Sequence, residues 1–194
     1  MKLINWKDDF LKRVVIIGAG ASGMLAAKVA SDRGYKVIVL EKQKRCGQKL
    51  LITGKGRCNI TNNCEIEELI ENVPTNGKFL YSAFYTFTND QVIDMFNDLG
   101  VETKTERGKR VFPVSDKAVD VVRALEKQMR SNKNVEVLLN SKVDKIEAQD
   151  GKVKKVILSD KREIECDSVI VATGGVSYPR TGSSGDGYKF ARNL

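Results

Sequence analysis

The chain of 194 residues contains no histidine. That removes Ser-His-Asp and Cys-His nucleophilic arrangements from this sequence, because both use an imidazole as base. The four cysteines, Cys46, Cys58, Cys64 and Cys166, include no C-x-x-C pair. Without histidine beside them they do not compose a zinc site, and they read as reduced intracellular thiols. No apolar run approaches the roughly 20 residues that span a bilayer, so no membrane partner is expected. Residues 1–9 have no apolar stretch of the signal-peptide kind. A soluble cytoplasmic protein is the expectation.

Positive charge is in excess: 33 Lys and Arg stand against 25 Asp and Glu, a net +8. That balance favours anionic partners such as phosphates, nucleotides or acidic substrates. The charges are scattered and form no long basic block, so a solvated basic surface is preferred over an RNA groove. The length suits one domain, or one and a half, with a sizeable core.

The richest signal is Arg13-Val-Val-Ile-Ile-Gly18-Ala-Gly20-Ala-Ser-Gly23. A short buried-strand pattern runs directly into G-x-G-x-x-G and then into a predicted helix over residues 21–33, stopped by Gly34. In this context Gly18 shapes the turn, Gly20 admits a pyrophosphate close to the main chain, and Gly23 lets helix and strand pack together. The helix N-terminus offers free N–H groups to phosphate. Residues 35–40 read as a second strand, closed by Glu41. An acid about 20 residues past the glycines accepts the ribose hydroxyls of an adenosine.

Residues 42–62 are polar and basic, with Gly47, Gly54 and Gly56 interleaved among Lys49, Lys55 and Arg57. That composition suits a loop wrapping an anion. A short acidic helix is expected over 65–71. The aromatics Phe79, Tyr81, Phe84, Tyr85 and Phe87 are expected to pack into a core at helical spacing, in preference to forming a base-stacking platform. The stretch Thr88-Asn-Asp90 is expected to cap a helix running to Leu99. A hairpin over 101–111 should turn near Gly108. Ser115 should cap a helix over 116–130, with Val119, Val122, Ala124 and Leu125 on its buried side.

From residue 135 the pattern turns to strands: 135–139, 142–146, 154–158 with a tight turn at Asp150-Gly151, the short 163–165, and an apolar parallel-type strand over 167–171. That last strand ends in Ala172-Thr173-Gly174-Gly175, a second glycine turn placed to meet the same ligand. A simple nicotinamide-binding half-domain does not call for a meander and a second glycine turn; a larger dinucleotide fold does.

Several strings together carry a family resemblance: Gly18-Ala-Gly-Ala-Ser-Gly23, Glu41-Lys42, Gly54-Lys-Gly-Arg-Cys-Asn-Ile-Thr-Asn62, Phe112-Pro-Val-Ser-Asp-Lys-Ala118, and the stretch from Ala172 through Ser-Tyr-Pro-Arg-Thr-Gly-Ser-Ser-Gly-Asp-Gly to Tyr188. From Lys12 onward the chain resembles the BaiN and aminoacetone-oxidase-like family of NAD(P)/FAD-dependent oxidoreductases. The resemblance implies an α/β, glutathione-reductase-like FAD-binding Rossmann domain over 12–194, with a parallel sheet and a small antiparallel meander, after an N-terminal extension over 1–11.

It implies FAD as cofactor, allows NAD(P)H as electron donor, and implies a small-molecule substrate. By matching motif, Gly18, Ala19, Gly20, Ala21, Ser22 and Gly23 would hold the pyrophosphate, and Glu41 with Lys42 the adenosine ribose. Gly47, Gln48, Lys49, Thr53, Gly54, Gly56, Arg57, Cys58 and Asn59 would line the pyrophosphate and flavin side. Val143 would meet the adenine edge through its backbone, and Ala172, Thr173, Gly174 and Gly175 would close over the ADP half. The resemblance assigns no catalytic residue; Cys58 and Tyr178 are nearest by motif, with Cys58 read as a packed or flavin-adjacent thiol.

Family members are about twice this long, with a substrate domain and a second flavin-contacting stretch further on. The chain is therefore expected to be the N-terminal, FAD-binding part. Two alternatives stand beside a flavin-dependent oxidoreductase: an RNA-associated flavoprotein module, and a fragment that folds without activity.

Overall fold

The computed structural model describes residues 11–194. The extension expected over 1–11 therefore lies, but for Leu11, outside the described residues. The chain divides into two compact units, one formed by residues up to Lys49 together with Leu125–Leu194, the other by Leu50–Ala124.

In the first unit, β1 (Arg13–Ile17), β2 (Lys36–Leu40), β6 (Val135–Leu138) and β10 (Ser168–Val171) form a parallel sheet in the order β10-β1-β2-β6. Val14–Ile17 and Val37–Leu40 are buried without a break. Such continuous apolar runs are what parallel strands covered on both faces require. The register aligns Ile17 with Leu40 and Val171, and Leu40 with Leu138. The carboxyl ends of the four strands therefore share one rim. β10, the apolar parallel strand expected over 167–171, is an edge strand, and its Ile170 and Val171 are exposed.

Helix α1 (Ala21–Asp32) connects β1 to β2, and Gly34 ends it at φ +85°. The other face of the sheet carries the antiparallel meander β7 (Val143–Gln149), β8 (Lys152–Leu158) and β9 (Glu163–Glu165), turning at Asp150-Gly151. One core joins them. Val15, Ile17, Ile38 and Leu40 pack with Val143, Ile146, Val156, Leu158, Ile164 and Cys166, and with Phe190 of α6 (Asp186–Asn193). The period-2 spacing on each strand puts these residues on facing surfaces.

The second unit holds a three-stranded antiparallel sheet, β3 (Thr61–Asn62), β5 (Arg110–Pro113) and β4 (Thr103–Glu106), in the order β3-β5-β4. Its helices are α2 (Ile66–Glu71), α3 (Tyr81–Thr86) and α4 (Asn89–Asp98). Of the expected stretch Thr88-Asn-Asp90 it is Thr88 that caps α4, in a capping box with Gln91. Helix α5 (Ala118–Arg130) begins in this unit and continues into the first.

Two expectations are corrected here. Helix α5 starts at Ala118, not Asp116. Asp116 adopts φ +55°, and its carboxylate is taken by Arg57 and Lys104, which keeps that residue out of the helix. Val121 and Met129 join the expected Val122, Ala124 and Leu125 on the buried side, whereas Val119 is only partly covered.

The aromatics of 79–87 do not form a core stripe. A 3₁₀ turn (Gly77–Leu80), the six-residue α3 and the extended Phe87 break the helical spacing, and Phe79 is 85% exposed, with Tyr81, Tyr85 and Phe87 also exposed. Tyr81 and Tyr85 stack on each other, 4.8 Å between centroids.

Candidate dinucleotide site

The rim of the parallel sheet brings together the first glycine turn, Glu41 and the second glycine turn. Gly18 has φ +106°, and its N–H donates to the Leu40 carbonyl at 2.8 Å. A Cβ on Gly18 would lie 2.5 Å from the Ala172 carbonyl oxygen, and one on Gly23 only 1.8 Å from the Gly18 carbonyl oxygen. No side chain fits at either position, so the two glycines weld β1, α1 and the 172–175 turn into one close-packed corner. A Cβ on Gly20 would meet nothing within 4 Å. Gly20 thus faces open space, while its neighbours are closed by main chain.

That open space lies at the start of α1. Its N-cap is Gly20, no side chain caps it, and its first turn contains no acid. Ala21 and Ser22 are exposed there. The leading N–H groups are left to an external acceptor, which suits a phosphate.

Glu41 is pinned. Its Oε2 accepts from the Ala19 N–H at 2.7 Å and its Oε1 from the Gln43 N–H at 2.8 Å, and the residue is 9% exposed. Each carboxylate oxygen keeps a further lone pair, which is the capacity needed for two ribose hydroxyls. Ala19 in turn accepts from the Gly47 N–H at 2.9 Å. One hydrogen-bonded thread therefore runs from Glu41 through Ala19 to Gly47 and holds the segment after β2 against the first glycine turn. Gly47 is buried, with Gln48 and Lys49 partly covered beside it, and Lys49 Nζ donates to Ser177 Oγ at 3.2 Å.

Val143 opens β7 with its side chain in the core, two residues after Ser141, whose N–H donates to the Glu41 carbonyl. In the second turn the Ala172 N–H donates to Ile17, Gly174 has φ +70°, and Gly175 accepts from Gly185. Thr173 lies partly covered between them.

The remaining expected residues, Thr53, Gly54, Gly56, Arg57, Cys58 and Asn59, belong to the second unit. Gly54, Lys55, Gly56 and Cys58 all have positive φ. A Cβ on Gly54 would sit 2.8 Å from the Asn59 nitrogen and 2.9 Å from the Phe112 ring. Thr53 accepts from the Cys58 N–H at 3.0 Å and its hydroxyl donates to Leu50. Arg57, expected to face phosphate, instead donates to both oxygens of Glu106 at 2.9 and 3.0 Å and to Asp116 at 3.1 Å. It also lies 4.0 Å from the centroid of the Phe112 ring, a cation–π contact. Asn59 is exposed.

Burial pushes the Cys58 thiol above its ordinary value, against a smaller downward effect of Thr53. The thiolate is the nucleophilic form of cysteine, and burial disfavours it here. Burial likewise pushes Cys46 and Cys166 up to about 12. Tyr178, the other motif candidate, is exposed with φ +55°.

Sequence reasoning missed three contacts: Ala19 with Glu41, Gly47 with Ala19, and the ion pair of Lys42 with Asp186 at 2.6 Å. The first two start from main-chain N–H groups, which no residue type announces. The third joins positions 144 apart.

Fold and site together define a Rossmann dinucleotide-binding domain. Residues 12–194 match the family model of the HI0933-like protein Rossmann domain, and the chain belongs to that family. The match bears out the resemblance read from the motifs. The chain is 34% identical over 186 residues to the 3-dehydro-bile acid delta(4,6)-reductase of Clostridium scindens, covering 95% of this chain and 44% of that protein. It is 33% identical over 180 residues to the ribosomal RNA dihydrouridine synthase of Escherichia coli, covering 93% and 44%. The chain thus spans less than half the length of these relatives. Among solved structures, a flavocytochrome c3 fumarate reductase aligns over 96% of this chain and 41% of its own, with 20% identity and a TM-score of 0.74. That likeness shows the fold. Among the described residues, no helix is long and apolar enough to cross a membrane.

Proposed function

We propose that this chain is the FAD-binding part of a flavin-dependent oxidoreductase. The carrying observation is the rim geometry: an uncapped α1 N-terminus opening at Gly20, walled by Gly18, Gly23 and Ala172, with Glu41 at the end of the neighbouring strand. Gly18 to Gly23 would hold the pyrophosphate through main-chain N–H groups, and Glu41 the adenosine ribose. Gly47, Gln48, Lys49 and Ala172 to Gly175 would flank the same ligand, with Val143 beside the adenine. The bound flavin supplies the redox chemistry; the protein orients it and excludes competing groups. NAD(P)H is the proposed electron donor, a small molecule the substrate, and the cytoplasm the setting, in keeping with four unpaired cysteines.

Thermal-shift measurements with FAD, NADH and NADPH, together with the absorbance of the purified protein, test this. A flavin spectrum, or a stabilising shift with FAD, supports the reading. A colourless protein that FAD neither stabilises nor reconstitutes refutes it.

A second reading, favoured by the 33%-identical Escherichia coli relative and the net +8 charge, makes the substrate an RNA. It requires RNA binding that weakens steeply with salt. Binding that is absent or insensitive to salt removes it.

A further inference from the structure

The segment after β2 carries two lysines at its ends, Lys42 beside Glu41 and Lys49 beside Gln48. Both reach the stretch that follows β10. Lys42 Nζ donates to Asp186 Oδ2 and to Ser184 Oγ, each at 2.6 Å. Lys49 Nζ donates to Ser177 Oγ at 3.2 Å. In the sheet, β1 lies between β2 and β10, and the first glycine turn follows it. These side-chain bonds therefore join the two strand ends that flank the candidate site.

Of the two links, that of Lys42 is the stronger, because its acceptors include a carboxylate. The Lys42 and Asp186 side chains are 22% and 24% exposed, so solvent screens the pair only in part. Ser184 Oγ donates in turn to Asp186 Oδ1 at 3.2 Å, so hydroxyl and carboxylate meet the ammonium together. Burial raises the Asp186 carboxyl, but the Lys42 hydrogen bond and charge outweigh it and leave the group below its ordinary value. The carboxylate also opens α6, where a negative charge suits the helix dipole. A Cβ on Gly182 would lie 3.6 Å from Lys42 Cε and 3.7 Å from Gln43 Cγ, so the 175–185 loop lies along both stems. Gln43 is itself held at the rim, its N–H donating to Glu41 Oε1. The loop is closed at its base by the Gly185 N–H donating to Gly175. Through the Lys42–Asp186 pair, the placement of the 172–175 turn is tied to that of the segment after Glu41.

We infer that Lys42 and Asp186 are a positioning pair for the proposed cofactor: they hold the segment after β2 and the segment after β10 at a fixed spacing, so that both walls grip one ligand. This rests on the FAD reading of the site. The motif sets Lys42 beside the ribose, but its ammonium is on Asp186. The pair acts on the ligand through the segments it joins, Gly47 to Lys49 on one side and Ala172 to Gly175 on the other.

The test is the rate of FAD release from the reconstituted protein, read by the recovery of flavin fluorescence on dilution. The melting temperature of the FAD-free chain is measured alongside. The proteins are the wild type, Lys42→Met, Asp186→Asn, the double variant of these two, and Lys42→Arg. Each of the first two substitutions should speed release roughly tenfold, the worth of a charge-assisted hydrogen bond. The double variant should release FAD no faster than either, because both break the same link. Lys42→Arg keeps the charge and should release FAD near the wild-type rate. Lys42→Met leaves the first-turn acid of α6 in place, so it reports on the pair even if Asp186→Asn does not fold. A lower melting temperature with release unmoved marks a purely structural pair and overturns the inference. So do additive effects in the double variant, and so does Lys42→Arg releasing as fast as Lys42→Met. Faster release in Lys42→Met with Asp186→Asn unmoved marks a lysine that touches the ligand itself, which overturns it as well. A wild type that FAD neither stabilises nor reconstitutes refutes the functional reading itself; one that binds FAD, with release unmoved in both single variants, overturns the positioning role alone.

Discussion

The two units hold their chains by different means. The Rossmann unit carries 24 Lys and Arg against 14 Asp and Glu, the other 9 against 11. In the first, parallel strands and the meander share an apolar core, and the candidate rim is held by main-chain N–H groups: that of Gly18 on the Leu40 carbonyl, that of Ala19 on the Glu41 carboxylate and that of Gly47 on the Ala19 carbonyl. In the second, a loop with four left-handed residues is held by side chains: Arg57 on Phe112, with Glu106, Lys104 and Asp116 around it. The difference teaches where charge is free to meet a ligand. The second unit satisfies its own arginine, whereas the first presents an uncapped helix terminus.

The sharpest way to break the comparison is Phe112→Ala. Phe112 is fully buried and is the platform for both Gly54 and Arg57. Its loss should destabilise the protein by about 4 kcal/mol in urea denaturation, the usual range for a buried aromatic.

Next comes Gly23→Ala. The new methyl group meets the Gly18 carbonyl oxygen, so the corner must open, at a cost of about 3 kcal/mol by the same measurement. The thermal shift with FAD should disappear as well. A variant that keeps its FAD shift would show that the closed corner is dispensable.

Smaller is the acid response of the charge cluster. The Arg57 hydrogen bond holds Glu106 below its ordinary value, and that of Lys104 does the same for Asp116, against opposing burial. Their stabilisation is complete above the unfolded values of about 4.3 and 3.9 and is lost as pH falls through the depressed folded values. Glu106→Gln should flatten the pH dependence of unfolding in that acid range and leave it unchanged near neutrality. An unaltered profile would show that the cluster contributes nothing through ionisation.

The smallest effect is expected for Phe79→Ser. With its ring in solvent, stability should stay within about 0.5 kcal/mol. A larger loss would mean that the ring packs as the helical spacing first suggested.

Much of the first unit was legible because its determinants are local. A run of buried aliphatics, three glycines at fixed offsets and an acid at a strand end each restrict the backbone by residue type. The Asp150-Gly151 turn and a helix cap within Thr88-Asn-Asp90 were readable for the same reason. The start of α5 was not, because Asp116 is drawn out of the helix by Arg57 and Lys104 from elsewhere in the chain. The aromatics misled because ring spacing implies burial only within an unbroken helix, and this stretch is broken at Leu80 and again at Phe87.

By itself the sequence determined the strand-turn-helix, the acid that follows it and the second glycine turn, because each is written in neighbouring residues with few backbone options. Only the tertiary structure decided which charges remain available. Arg57 goes to Glu106 and Asp116, Lys42 goes to Asp186, and Glu41 is fixed by the Ala19 and Gln43 N–H groups. Pairing depends on distances between residues far apart in the chain, and those distances exist only once the sheet, meander and loops have packed.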